Sequence, residues 1–164
     1  MLVTVEYGKE SGAELEALDC IFPKDPTAFC IRQPYGGLIL ISTTLPSDEA
    51  AAMIGSCRTT SIHKVLPIDS MVESDLGKLC SEALRLVPPG SERVAVDCAR
   101  RGRFLPSSQL VEEEVGRLLK TRGMTIDLVN PRLVVRIDII GSFSTISVRP
   151  PSGFITKKEG PAHG

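Results

Sequence analysis

The chain has 164 residues, of which 42% are hydrophobic and 24% are charged, and its formal net charge at pH 7 is −1. This composition is typical of a soluble globular protein with one domain or two small ones. No run of about 18 apolar residues predicts a membrane span, and the first residues lack the basic and apolar regions of a signal peptide. We therefore expect a cytoplasmic protein that does not bind membranes.

The charges are unevenly distributed along the chain. Residues 1–60 carry four basic and eight acidic side chains, whereas residues 61–164 carry 15 basic and 12 acidic ones. The second part therefore favours a polyanionic partner, although its positive excess is too small to establish nucleic-acid binding by itself.

The first 66 residues predict the order β-α-β-β-α-β. LVTVEY and SIHKVLPI have the composition of strands, and AFCIRQ and GLILIST flank the turn PYGG as a hairpin. In GAELEALDCIF, Leu15, Leu18 and Ile21 fall on one helical face. PSDEAAAMIGSC predicts a second helix with Ser47 as its N-cap. This order is that of a ferredoxin-like unit, in which two helices cover one face of an antiparallel sheet.

The second part predicts the order helix, strand, helix, strand, strand. In MVESDLGKLCSEALRLV, the spacing of Val72, Leu76 and Leu79 predicts a buried helical stripe that ends before Pro88. RVAVDCA, RLVVRIDII and STISVRP have the alternation of strands. Residues 151–164 are rich in proline and glycine and have no periodicity, so we expect a flexible tail there.

The five cysteines are widely spaced and lie among apolar or helical neighbours. The sequence contains no CxxC pair, the pattern that would predict a metal site or a redox couple. We therefore expect five buried, reduced thiols. They are Cys20, Cys30, Cys57, Cys80 and Cys98.

Positive charge is concentrated in RRGRFLPSSQLVEEEVGRLLKTRG, residues 100–123, just before a predicted helix. Ser107 or Ser108 supplies the N-cap oxygen, and the first amide N–H groups of the helix are exposed beside the arginines. Such donors together favour a phosphate site, whereas an arginine cluster taken alone is more often a solvated loop. Basic residues in the last turn extend the site or oppose the helix dipole. The predicted binding residues are Arg100, Arg101, Arg103, Ser107, Ser108, Lys120 and Arg122.

From about residue 61 to residue 150 the chain resembles the THUMP family. VAVDCARRGRFLPSSQLVEEEVGRLL and then TIDLVNPRLVVRIDI follow that family's strand, Arg-rich loop, Ser-capped helix and Asp-Leu-x-Asn-Pro motif before a strand. The last motif is formed by Asp127, Leu128, Asn130 and Pro131. The resemblance implies an α+β chain with a ferredoxin-like domain at 1–66, a THUMP domain at 67–150 and a tail at 151–164.

The resemblance implies that the chain binds tRNA through the acceptor end of the tRNA. A separate tRNA-modification enzyme would then act on the bound tRNA. THUMP domains occur fused to tRNA thiolation enzymes, methyltransferases and deaminases. This chain resembles the stand-alone members, of which the adaptor for tRNA N4-acetylcytidine formation is the best-known type. The implied partners are therefore tRNA and a modifying enzyme, an acetyltransferase in that best-known case.

The sequence assigns no catalytic residue, and we expect no enzyme, metal or cofactor. Patterns such as GxGxxG, GxSxG and HExxH are absent, and no carboxylate is given an apolar pocket by its sequence neighbours. Aromatic residues make up only 4% of the chain, so phosphate and sugar contacts are expected to supply affinity rather than base stacking. The alternative interpretation is a ferredoxin-like sensor of a small anion, or a protein scaffold, without RNA.

Overall fold

The computed structural model describes residues 1–157, and the chain divides into two compact units. The first unit contains Met1–Pro67 together with residues 153–157, and the second contains Ile68–Ser152. The predicted α+β fold class is confirmed. In chain order the elements are β1 (Leu2–Val5), α1 (Glu10–Ile21), β2 (Phe29–Arg32), β3 (Leu38–Ser42), α2 (Ser47–Ser56), β4 (Ile62–Leu66), β5 (Ser70–Glu73), α3 (Leu76–Leu86), β6 (Arg93–Arg101), α4 (Ser108–Thr121), β7 (Thr125–Ile126), β8 (Leu133–Ile140), β9 (Phe143–Arg149), a 3-10 turn (Pro151–Gly153) and β10 (Ile155–Thr156).

The first unit is an antiparallel sheet with strand order β10-β4-β1-β3-β2, and helices α1 and α2 contribute to its core. Helix α1 buries Ala13, Ala17 and Ile21, which are spaced four residues apart, whereas Leu15 is exposed. The prediction that Leu15 lies on the buried face is therefore wrong, because small alanines form the stripe. Helix α2 has Pro46 as its N-cap instead of Ser47, since the Pro46 carbonyl already accepts a hydrogen bond from the Ala50 amide.

A buried carboxylate, Asp25, joins the loop after α1 to the loop between β3 and α2. It accepts hydrogen bonds from the Thr27 amide (3.0 Å) and hydroxyl (2.5 Å), the Thr43 hydroxyl (2.7 Å) and the Thr44 amide (2.8 Å). These bonds, above all those from the Thr27 and Thr43 hydroxyls, hold the pKa of Asp25 well below its ordinary value. The ionised carboxylate therefore stabilises the first unit.

The C-terminal segment adds a strand to the first unit. Ile155 and Thr156 pair with β4, and the Ile155 side chain lies against Gly55 of α2. The Lys157 ammonium donates to two backbone carbonyls at the end of α2. The expected flexible tail is therefore wrong at these residues, because a two-residue strand carries no periodicity that a sequence could show. Residues 158–164 of the predicted tail lie outside the described part of the chain.

A disulfide joins Cys20, near the end of α1, to Cys57, just after α2. The prediction of reduced thiols is wrong for this pair, because helix packing brings together Cα atoms that are 37 positions apart in sequence to 6.1 Å. Closing a loop of this length contributes about 4 kcal/mol in the chain-entropy model. The free cysteines are Cys30, Cys80 and Cys98.

The second unit is a mixed sheet with strand order β5-β9-β8-β6-β7. Strand β6 is parallel to both of its neighbours, β8 and β7, and the other pairs are antiparallel. Helices α3 and α4 bury their apolar stripes against one face of this sheet. The core formed there includes Leu79, Ala83, Val94, Val96, Cys98, Val111, Val115, Leu119, Val135, Ile137, Ile139 and Ile146.

Two short strands of the second unit differ from the sequence prediction. Residues 70–73 form β5 and pair with β9, although the sequence predicts that a helix begins at Met71. Val72 fits a helical stripe and a strand equally well, but Asp75 caps α3 by accepting a hydrogen bond from the Lys78 amide and so fixes the helix start. Strand β7 has two residues and gives no sequence signal.

No helix within residues 1–157 is long and apolar enough to cross a membrane.

We predict that Asp25→Asn lowers the urea midpoint of the first unit at pH 7. The folded-state pKa of Asp25 lies below the unfolded value of about 3.9, so its stabilisation is complete above that pH and is lost as the pH falls further. The difference between the variant and the wild-type protein should therefore shrink below about pH 4. Tyrosine fluorescence measures this unit alone, because Tyr7 and Tyr35 are the only tyrosines.

The control is Asp19→Asn, which makes the same change at an exposed position of α1. Equal urea midpoints for the two variants at pH 7 would contradict the role given to Asp25.

Candidate nucleic-acid interface

Strand β6 ends in two of the predicted binding residues, Arg100 and Arg101. Side chains of a strand alternate between its faces, so Arg100 lies on the helix side with Cys98, and Arg101 lies on the opposite side with Asp97. The arginines were expected on the loop after the strand. The structure instead places Arg100 and Arg101 on opposite faces of the sheet, and only Arg103 belongs to the loop.

Arg101 is bound to a buried carboxylate. Its Nη1 lies 3.4 Å from Oδ1 of Asp138, a β8 residue that is almost completely inaccessible to solvent. Arg136 also binds Asp138 through two nitrogens, each at 2.9 Å, and reaches Asp97 at 2.7 Å. Arg101 is therefore part of an ion network that a buried charge requires, and a phosphate would have to compete with Asp138 for it.

The same network sets the protonation of Arg136. Burial lowers the pKa of its guanidinium, but the hydrogen bonds and negative charges of Asp138 and Asp97 raise it more, so the pKa lies above its ordinary value. Arg136 is therefore a permanent cation that compensates the buried Asp138.

Arg100 fixes the loop that follows β6. Its Nη1 donates to the carbonyl oxygen of Leu105 at 2.6 Å, and the Leu105 side chain is buried in the core of the second unit. Gly102 has a φ of +88°, a conformation that side-chain-bearing residues rarely adopt, and so allows the chain to turn between strand and loop. The loop therefore has a defined backbone while Arg100 remains exposed.

Arg103 and Phe104 form the exposed tip of this loop. Arg103 makes no hydrogen bond or ion pair with any residue of the described chain, and 62% of Phe104 is exposed. Residues 99–108 contain no carboxylate. Phe104 is not among the predicted binding residues, because a low aromatic content does not tell which rings are exposed. The stretch RFLP contains the available signal, because it has two consecutive apolar residues and only Leu105 enters the core.

Helix α4 begins directly after this loop. Ser107 has an extended backbone, and its hydroxyl oxygen accepts a hydrogen bond from the Leu110 amide at 3.0 Å, so Ser107 is the N-cap and Ser108 is the first helical residue. The Ser107 hydroxyl keeps its own proton for donation. The start of α4, with Arg100 and Arg103 on the preceding residues, thus provides hydroxyl, amide and guanidinium donors for an anion.

The two remaining predicted residues lie at the other end of α4. Lys120 is in the last turn, roughly 18 Å along the helix axis from Ser108. Arg122 follows the helix, and its Nη1 donates to the Leu84 carbonyl of α3 at 3.1 Å. The structure therefore groups Arg100, Arg103, Ser107 and Ser108, and it separates Lys120 and Arg122 from them.

Comparison with known protein families identifies a domain within the second unit. Residues 73–149 match the profile of the THUMP domain. The chain contains a THUMP domain. The predicted resemblance is therefore confirmed.

The chain is similar to several longer proteins. It is 29% identical over 118 residues to a tRNA sulfurtransferase of Desulfurococcus amylolyticus, and the match covers 68% of this chain and 24% of that protein. The structure of PH1313 from Pyrococcus horikoshii has a TM-score of 0.70 at 22% identity, covering 94% of this chain and 54% of the other. A 4-thiouridine synthetase in complex with RNA and ATP has a TM-score of 0.59 at 17% identity, covering 94% and 41%. The chain thus spans about a quarter of the curated relative and about half of these solved chains.

The Asp-Leu-x-Asn-Pro motif of the THUMP domain lies far from the arginine loop. The Asp127 amide donates to the Val94 carbonyl near the start of β6, whereas Arg101 is at its end, roughly 23 Å away along the strand. Asp127 accepts hydrogen bonds from the Val129 and Asn130 amides, which lower its pKa and fix the loop. The exposed fractions of Leu128 and Val129 are 74% and 94%. The two sequence motifs therefore mark opposite ends of the domain.

Glu112 of the THUMP domain has a raised pKa, which its neighbours in the sequence do not indicate. Burial beside β6 raises the pKa of Glu112, whose carboxylate accepts a hydrogen bond from the Cys98 amide at 3.3 Å. This contact connects α4 to β6, which gives Glu112 a structural role.

We predict that Arg101→Ala and Arg103→Ala differ in their effect on the THUMP domain. Arg101→Ala removes one partner of the buried Asp138 and should lower the opening free energy of β8 by about 1–2 kcal/mol. Arg103→Ala removes an exposed side chain and should leave that free energy unchanged. Native-state hydrogen exchange of the β8 amides measures both. Equal protection in the two variants would contradict the assignment of Arg101 to the fold.

Proposed function

We propose that this chain binds tRNA and holds its acceptor end for a separate tRNA-modification enzyme. The THUMP domain and the likeness to a tRNA sulfurtransferase support the tRNA part of the proposal. The observation that carries it is the exposed, carboxylate-free loop of Arg103 at the start of α4.

Phosphate contacts supply most of the affinity. Arg100 and Arg103 offer guanidinium groups, and the first turn of α4 offers amide donors with the positive end of the helix dipole. A site of this kind holds one or two phosphates and does not identify a base. The protein therefore discriminates RNA shapes more strongly than RNA sequences.

The acceptor end is the part of tRNA that suits such a site. The major groove of an A-form duplex is too deep and narrow for side chains to reach the paired bases. An unpaired strand, in contrast, can place its phosphates against a protruding loop and a helix start. Binding of the unpaired 3′ end by this chain leaves the rest of the tRNA accessible to another protein.

The chemical step belongs to that other protein. We propose that the chain itself is not an enzyme. It holds the acceptor end, and the separate enzyme acts on a nucleoside that lies at a fixed distance from that end. Cytidine N4-acetylation, with an acetyltransferase as partner, is the reaction that we propose first for a test. Adding the chain to such an enzyme should raise acetylation of tRNA, and the chain alone should modify none.

We predict that tRNA binding weakens as the salt concentration rises. Release of counterions from the one or two phosphates held at this site gives a slope of log K against log salt of roughly −1 to −2. Arg103→Ala should weaken binding and make this slope shallower by about one, since one phosphate contact is lost. Fluorescence anisotropy with labelled tRNA at several salt concentrations measures both quantities.

Arg117→Ala is the matched control, because Arg117 is an exposed arginine of α4 that is already paired with Glu114. An affinity that does not depend on salt would contradict the electrostatic mechanism. Unchanged binding by Arg103→Ala would show that the RNA site does not include the Arg103 loop.

We predict that the affinity for tRNA depends on its unpaired 3′ nucleotides. An intact tRNA should bind more tightly than one from which these nucleotides have been removed, and more tightly than a duplex of equal length, at one fixed salt concentration. Equal affinities for all three would leave only non-specific polyanion binding. A sensor of a small anion would instead bind inorganic phosphate and show no preference among the RNAs.

A further inference from the structure

We infer that Phe104 is a stacking platform for one unpaired base of the bound strand. This inference rests on the proposed function and adds to it a base contact, whereas the sequence predicted phosphate and sugar contacts only. Four observations support it: the exposure of the ring, the fixed backbone beneath it, the charge around it and the absence of a structural role for it.

The exposed ring is not needed by the core. Leu105, the next residue, fills the position of the loop that faces the core, and Phe104 is directed to solvent with 62% of its surface exposed. Exposing a ring forgoes the burial that stabilises most phenylalanines. A contact with a bound molecule would recover that burial.

The backbone under Phe104 is held in place on both sides. Arg100 binds the Leu105 carbonyl at 2.6 Å, and the turn at Gly102 leads out of β6. After the loop, Pro106 restricts the backbone and Ser107 caps α4. A platform whose backbone is already ordered loses little conformational entropy when a ligand binds.

The charges around the ring favour an aromatic anion. Arg103 is the neighbouring residue, Arg100 is exposed on the strand before it, and residues 99–108 contain no carboxylate. A nucleotide combines a flat aromatic base with a negative phosphate at a short distance. The ring and the adjacent guanidinium groups match these two parts.

A single ring has definite consequences for recognition. It can stack one base, and it offers no hydrogen-bonding group that would identify that base. Paired bases keep their faces covered inside a duplex, so the ring should bind only an unpaired nucleotide. Phe104 therefore contributes to the preference for a single-stranded end and not to sequence preference.

The test uses the full chain and a hairpin RNA with four unpaired 3′ nucleotides, each replaced in turn by 2-aminopurine. The fluorescence of 2-aminopurine depends on what its ring stacks against, so one overhang position should change its fluorescence on binding more than the others. Phe104→Leu keeps an apolar side chain but removes the ring, and it should abolish this position-specific change and weaken binding roughly 5- to 100-fold. Phe104→Tyr keeps the ring and should retain both. Binding to the same hairpin without an overhang should be equal for all three proteins.

Leu128→Ala is the matched control, because Leu128 is an exposed apolar residue at the opposite end of the same domain. Circular dichroism of each variant establishes that it is folded. Overhang-dependent binding that Phe104→Leu leaves unchanged would overturn the platform while leaving the proposed function intact. A wild-type protein that does not distinguish the two hairpins would instead overturn the proposed function.

Discussion

The buried carboxylate of Asp138 constrains how the end of β6 can be used. A charge in the interior of a sheet must be compensated, and Arg136 and Arg101 do so from the same strand and from the neighbouring one. Because Arg101 is committed to that network, its neighbour Arg100 must lie on the opposite face. The alternation of one strand thus divides a run of arginines into one that stabilises the fold and others that remain available to a ligand.

The arrangement of the loop follows from that division. Arg100, on the helix side, binds the Leu105 carbonyl, and this bond together with the burial of Leu105 determines where the chain enters α4. The residues between them, Arg103 and Phe104, are then left at the tip. A cation and a ring are exposed together because their neighbours on both sides are bound to the domain. This gives the tip a fixed position without any contact of its own to the core.

The sequence predicted the elements with strong periodicity and the ends marked by caps. Helix α4, its cap and the long strands β6, β8 and β9 were predictable, because many residues carry the same signal. The two-residue strands β7 and β10 and the disulfide of Cys20 and Cys57 were not, since each depends on long-range packing. At the candidate site, the loop was predictable from its arginines. The structural role of Arg101 was not predictable, because its ion-pair partner Asp138 lies 37 residues later in the sequence.

The small number of unpaired cations at the site limits the affinity for tRNA that an adaptor of this kind would have. Of the seven predicted residues, only a small group around Arg103 lies together, so in the proposed function the number of neutralised phosphates would be small and the unaided affinity for tRNA would be modest. Modest affinity is sufficient if a partner enzyme holds the same tRNA elsewhere. Two contacts on one tRNA act at a high effective concentration, and together they bind more tightly than either does alone. Specificity would then come from the distance between the two contacts, and the attachment of the loop through Arg100 and the buried Leu105 would keep that distance constant.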